Sequence, residues 1–382
     1  SSLGISFNTF IENWSNFYNK SIFNNYLRDN QEKSTFLQFK NYNKIIDIKK
    51  SPNNDFILFS TITGNYKKLV LYNSKSKKIK VLDKVRFHNK NESYFHTWKD
   101  NENIAYTKNI KGENNLISRN IFSNNKSYKS LSRFDKINGF SFNSNQNLIV
   151  LSASVDNQSD IYLLSANSNN LKKLTNDKSH DIFPSFFKNS TSIIFSSNRK
   201  NTSLEDSKIS ENTSNNYNLF LYNLDTTSNN LFQVTNSLNN NIKPKTLSNN
   251  EILFLNDKEG ISNIYNTTIN GITKQITNFN TNIINFDFDK ENNSLYYNSL
   301  FEGEILIKEI NNFDLNQSKF GKQTARVDYI KSQKLVEENN KKIEREIIKN
   351  NIDFENTNDF TFEGDKKVQS SILKNIEINK NK

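Results

Sequence analysis

A short apolar strand core recurs six times along this chain, at Ile57–Ser60, Ile104–Thr107, Ile149–Ser152, Ile193–Ser196, Ile252–Leu255 and Leu295–Asn298. Successive cores begin 47, 45, 44, 59 and 43 residues apart. A period of about 40–45 residues is that of a four-stranded propeller blade. The period therefore predicts an all-β chain whose six blades form a ring. It leaves function open, because a propeller is a scaffold whose role is set by its loops and channel lining.

Each repeat can be read strand by strand from its period-two alternation. Inner-strand candidates precede the core at Ile45–Ile48, Phe140–Phe142, Phe183–Phe186 and Ile284–Phe288, and a third strand follows it, as in Leu69–Tyr72 or Asn218–Tyr222. An outer strand then closes the blade, as in Leu171–Asn176, Leu231–Asn236 and Thr273–Asn278. The sixth repeat lacks such a strand after Ile310, whereas Thr35–Phe39 stands unclaimed ahead of the first. Borrowing it would remove the free sheet edges of an open circle. The expected organisation is a helical lead-in over 1–34, a propeller over 35–310 closed by strand 35–39, and a charged helix and linker over 311–382.

In the lead-in, Phe7, Phe10, Ile11, Trp14, Phe17 and Tyr18 follow the helical period, which predicts an amphipathic helix packed against the propeller or against a preceding domain. Gln323–Asn350 reads as a charged helix with a thin apolar stripe that includes Val327, Leu335, Val336 and Ile343. The long fourth interval comes from a polar insertion, Lys200–Asn216, placed between the second and third strands of its blade.

Nine Gly and three Pro are few for so many turns, and paired Asn residues such as Asn53-Asn54 and Asn124-Asn125 are expected to take over that work, since Asn tolerates the left-handed backbone. With no cysteine, disulfides, zinc-thiolate sites and thiol nucleophiles are excluded. The absence of Met, even at position 1, is read as the mark of a processed product or an excised piece. No apolar run of about 18 residues could cross a bilayer as a helix.

The net charge is +11, and between residues 41 and 135 there are 19 Lys/Arg against 8 Asp/Glu, so the first two blades carry the excess. Such a sector can attract an acidic partner. Lys67, Lys68, Lys75, Lys77, Lys78 and Lys80 are the candidate docking residues, weighed against ordinary solvated lysines on outer strands and turns. Aromatics interleave with lysines at Tyr66–Lys68 and Phe87–Lys90, a texture compatible with single-stranded nucleic acid, but buried packing is the expected reading and no nucleic-acid partner is expected.

The fourth repeat runs His180-Asp181-Ile-Phe-Pro184, then Ile193 to Arg199, then Asn218 to Asp225, and closes on Leu231-Phe-Gln-Val-Thr-Asn236. This series resembles the TolB-like and tricorn-type propeller repeats: an acidic residue, a Pro, a strand ending in Ser-x-Arg, a strand ending in Asp and a closing Leu-Thr. Pro52, Pro184 and Pro244 all fall at positions the resemblance assigns, as do Asp181, Arg199 and Asp225. It covers roughly Lys44 to Ile310 and is weakest in the second and sixth repeats, and the family's Asp-Gly turn is replaced throughout by Asn-rich sequence. The whole layout is also similar to the middle section of large Bacteroidota envelope proteins.

The resemblance implies a non-enzymatic protein-binding scaffold of the bacterial cell envelope, periplasmic or outer-membrane-associated, with any membrane attachment supplied by flanking domains. The alternative it allows is a substrate-gating propeller of a peptidase whose catalytic domain lies outside the chain. No Gly-x-Ser-x-Gly elbow or phosphate-cradling loop is present, and His88, His96 and His180 have no metal-ligand spacing, so no catalytic residue and no cofactor is expected. Asp181 is read as bonding the backbone of its own turn rather than as a cation ligand, and Phe95 and Trp98 as core residues of a second inner strand.

Overall fold

The computed structural model describes residues 34–320 apart from 38, 40–41, 43, 87–93, 144, 146, 188–191, 205–212, 226–229 and 302, together with 4, 6–18 and scattered positions from 327 to 343. The chain forms two compact units, 1–324 and 325–382. In the second, the described positions between 327 and 343 are helical, and Leu335, Val336 and Ile343 are exposed. The remainder of the expected charged helix and linker lies outside the described residues.

The first unit opens with α1 (Phe7–Tyr18), capped by the Ser6 hydroxyl, which accepts from the Thr9 N–H at 3.1 Å. Phe7, Phe10, Ile11 and Trp14 of its apolar face are all exposed, so of the two expected partners the propeller does not cover them. The chain then enters the ring through β1 (Thr35–Leu37).

Six four-stranded sheets follow. The first blade is β2 (Ile45–Lys50), β3 (Phe56–Thr63), β4 (Tyr66–Asn73) and β5 (Ile79–Arg86). The second is β6 (His96–Trp98), β7 (Asn103–Ile110), β8 (Glu113–Asn120) and β9 (Lys126–Ser130), and the third β10 (Lys136–Asn143), β11 (Leu148–Val155), β12 (Gln158–Ser165) and β13 (Leu171–Lys173). The fourth is β14 (Asp181–Phe186), β15 (Ser192–Arg199), β16 (Thr213–Asn223) and β17 (Phe232–Gln233), and the fifth β18 (Asn241–Thr246), β19 (Glu251–Asn256), β20 (Asn263–Thr268) and β21 (Lys274–Gln275). The sixth is β22 (Ile283–Asp289), β23 (Ser294–Phe301) and β24 (Glu304–Ile310), with β1 as its fourth strand. Thr35, Phe36 and Leu37 pair antiparallel with Glu309, Lys308 and Ile307, so the last blade is finished by the first strand of the chain.

The recurring apolar cores are the second strands, β3, β7, β11, β15, β19 and β23. They are continuous rather than alternating because each blade is covered on both faces by its neighbours: Phe56 to Thr61 of β3, for example, are buried without interruption. The core is divided accordingly into six clusters, each spanning one pair of adjacent blades. The cluster across the closure joins Ile45, Ile48, Ile57, Phe59 and Tyr72 of the first blade to Tyr296 and Ile307 of the sixth, with Phe39 stacked on Phe59 at 4.8 Å between ring centroids.

Turn chemistry follows the sequence reading in part. Asn54 and Asn124 have φ of 62°, and Asn147, Asn157, Asn293 and Asn312 also take the left-handed conformation. Asp156 and Asn157, both with positive φ, form the two-residue hairpin between β11 and β12, a type I′ turn matched to the twist of its strands.

Candidate binding channel

The first strands of the six blades line one cavity of about 920 Å³ at the centre of the ring. The register fixes which side chains face it. Lys49, Thr97, Ser141, Ser185, Lys245 and Asp287 lie opposite Leu58, Ala105, Val150, Ile194, Leu253 and Tyr296, in every case the second residue of a recurring core. Two residues earlier a further rung lines the same cavity: Asp47, Phe95, Gly139, Phe183, Lys243 and Asn285. All twelve residues of the two rungs line the cavity.

The inner strands are bulged beside the rungs, between them in the fourth and fifth blades and just ahead of the earlier rung in the first, third and sixth. The register shifts at Ile45/Asp47, Ile137/Gly139, Ile182/Ser185, Ile242/Lys245 and Ile283/Asn285. Pro184 and Pro244 occupy two of these irregularities, where a residue lacking an N–H leaves no ladder bond unmade. The residues before them, Phe183 and Lys243, both take φ of 54°. Gly139 meets a different demand: its φ is 150°, and a Cβ there would stand 3.3 Å from the Phe183 Cα, so glycine lets the third and fourth inner strands approach.

Adjacent blades are stitched together at the wall. The Trp98 indole donates to the Lys49 carbonyl (3.1 Å), the Phe186 N–H to the Ser141 hydroxyl (3.4 Å), the Thr246 hydroxyl to the Phe186 carbonyl (2.7 Å) and the Lys243 ammonium to the Ile284 carbonyl (2.6 Å). The Asp287 carboxylate accepts from the Lys50 N–H at 2.6 Å and is ion-paired with Lys245. Asn285 donates to Asp47, and between the second and third blades the Lys99 ammonium lies 4.7 Å from the Phe142 ring centroid. Among the described residues no three His, Asp or Glu side chains are placed to hold a metal ion.

With this geometry in view, the chain can be set beside known proteins. No protein-family model and no curated protein sequence matches it. Among solved structures it is similar to TolB from Acinetobacter baumannii, at 13% identity and a TM-score of 0.51, over 74% of this chain and 65% of that one. It also matches the β-propeller domain of the trilobed protease from Pyrococcus furiosus (14% identity, TM-score 0.46, 72% of this chain and 82% of that one) and the acylaminoacyl peptidase from Pyrococcus horikoshii (14%, 0.45, 72% and 46%). What is shared is the propeller fold. The chain spans a little under two thirds of the TolB it matches.

Within the propeller, the fourth blade holds a buried ionic network. Arg199 donates through both terminal nitrogens, to Asp177 at 2.9 Å and to both oxygens of Asp181 at 2.9 and 2.7 Å, and its Nε donates to the Ser197 hydroxyl at 2.9 Å. Burial works against the guanidinium's charge, but Asp181 and Asp177 outweigh it and hold Arg199 above its ordinary range. Asp181 is thus the partner of a buried arginine, where the sequence suggested its own turn's backbone. Its carbonyl also accepts from Ser152 (2.6 Å) and Ser159 (2.9 Å) of the third blade, so the network joins two blades.

The other residues singled out from sequence are distributed. Pro52 opens the turn closed by the Asn54 N–H on the Ser51 carbonyl (3.0 Å), and the Asp225 N–H is held by the Asn223 side chain at 3.0 Å. Lys67 is buried and lines the channel, whereas Lys68 is half-buried over the Tyr42 ring. Lys75, Lys77, Lys78 and Lys80 are exposed on β5 and the turn before it. Lys75 pairs with Asp55 at 2.6 Å, and the Lys80 ammonium donates to the Ile121 carbonyl at 3.0 Å. Trp98 packs between the first two blades, and Phe95 faces the channel. Lys49, Lys243, Lys245, Asp47 and Asp287 were not singled out from the sequence.

Proposed function

We propose that this chain is a protein-binding propeller of a bacterial cell envelope, which seats its partner at the central channel. One observation carries the reading: six inner strands line a single cavity of about 920 Å³ with two rungs of residues, in which aromatic rings and charged groups are both available. A concave site that offers apolar pockets together with a few placed charges suits recognition better than a flat face does. The envelope setting is supported by the TolB-like motifs of the fourth repeat and by the likeness in fold to TolB. The exposed lysines of the first blade would steer an acidic partner during encounter.

The test is site-specific photo-cross-linking in envelope extract, with p-benzoylphenylalanine in place of Phe95 on the channel wall or of Lys78 on the outer strand. Capture of one defined envelope protein from position 95 is the expected result. Capture from position 78 alone would move docking to the rim of the first blade and overturn the channel as the seat. Capture of a peptidase at position 95 would instead favour the second reading, a substrate-gating propeller whose catalytic domain lies outside this chain.

A further inference from the structure

The two rungs differ between the two sides of the ring, although Lys99 adds a charge to the wall beside the Phe142 ring. In the second, third and fourth blades they read Phe95, Gly139 and Phe183, then Thr97, Ser141 and Ser185, with no charge. In the fifth, sixth and first blades they read Lys243, Asn285 and Asp47, then Lys245, Asp287 and Lys49. These last three blades are consecutive around the closed ring, so every charge of the rungs falls on one side.

The two carboxylates of that side are already engaged. Asp287 holds Lys245 and the Lys50 N–H, and Asp47 accepts from Asn285 and from the Ile48 N–H at 2.8 Å. The ammonium groups are less well served. Lys243 donates to a backbone carbonyl and lies 5.6 Å from the Phe183 ring centroid, with no carboxylate partner among the described residues, and Lys49 has no hydrogen-bond or ion-pair acceptor among them. Burial pushes Lys243 below the usual lysine range, and Lys49 pushes it the same way against the pull of Asp47. Positive groups held together out of bulk water, with their internal carboxylates spent, are complementary to an incoming anion.

We propose that the channel accepts an extended acidic segment of a partner protein, with its carboxylates on Lys49 and Lys243 and its apolar side chains against Phe95 and Phe183. An extended chain sends alternate side chains to opposite sides, so a segment alternating acidic with apolar residues satisfies both sides of the ring at once. The inference rests on the channel being the binding site, and it adds the chemistry of what enters.

The probe is a fluorescein-labelled octapeptide of alternating Glu and Phe, titrated into the full chain and followed by anisotropy. Saturable binding is expected, at least about tenfold tighter than for the Gln/Phe analogue and weakened by salt, since charge recognition across a desolvated wall is worth on the order of one decade or more. K49E should reverse the preference toward a Lys/Phe peptide, and the milder K49Q should remove the preference for Glu over Gln, both in proteins whose far-UV circular dichroism matches the parent. Equal affinity for the Glu and Gln peptides, or an unaltered preference in K49E, overturns acidic selection while leaving the channel as a binding site. If the Glu/Phe peptide fails to bind although position 95 cross-links a protein, the inference falls alone. If neither occurs, the reading beneath it falls as well.

Discussion

Arg199 is among the largest side chains to be fully buried, and it is charged. It is tolerated because two carboxylates and a hydroxyl absorb its donors in fork geometry, which lysine could not reproduce. Removing one member of such a cluster leaves the others as uncompensated buried charges. Arg199→Ala is therefore expected to lower unfolding free energy by about 3–5 kcal/mol, measured by urea denaturation; a loss below 1 kcal/mol would show that water takes over the two aspartates. Part of this was legible: Asp181 and Arg199 stood at motif positions, but their pairing needed the strand register, which brings Asp181 opposite Ser197 in β15. The channel residues were hidden for a related reason. Lys49, Lys243 and Asp287 look like ordinary alternation residues until each inner strand is counted back from the second residue of its core. The rung rule itself was within reach of the sequence, because the cores were visible.

At the level of single elements, the closing strand completes the ring with only three residues. Lys308, its partner in β24, is buried between the rings of Phe36 and Phe301, 4.9 and 5.0 Å from their centroids. Burial lowers its pKa to about 8. A lysine whose folded pKa lies below its unfolded value binds fewer protons when folded, so its contribution to stability rises with pH across the window from about 8 to about 10.4. Lys308→Met removes that burden. The variant should be more stable than the parent at pH 7, by about 1–3 kcal/mol, with the gap shrinking as pH passes 8 and closing near 10.4. Parallel pH profiles of the two proteins would rule out Lys308 as the titrating group. Among the elements, second strands were the easiest to read, since burial on both faces leaves an unbroken apolar run. The second inner strand was marked only by Phe95 and Trp98, and the fifth was not found, because His96–Trp98 is short and Asn241–Thr246 is polar and interrupted by Pro244. For α1 the period was read correctly, but periodicity cannot say whether an apolar face is covered, and Phe7 and Trp14 are 75% and 54% exposed.

Taken as a whole, the ring has an apolar cluster at every interface between blades and a stitch at the channel wall beside most of them. An open array of repeats can fray from its ends, but here the first and last blades share Phe39, Ile45, Tyr296 and Ile307 in one cluster. The propeller is expected to unfold in one step. With Trp14→Phe in the background, Trp98 fluorescence reports the first two blades while far-UV circular dichroism reports all six; coincident denaturation curves are expected, and an earlier Trp98 transition would reveal blades melting singly. The six-fold architecture was the most legible property of the chain, because repetition amplifies a signal that is weak in any one blade. The closing pair also has a mechanical consequence. Because Thr35 lies opposite Glu309 and Leu37 opposite Ile307, the chain enters β1 at the same end of the sheet at which it leaves β24. Tension between those two points would load the pairs one after another, as in a zipper, instead of shearing them together, which makes the clasp the seam at which a pulled ring would part.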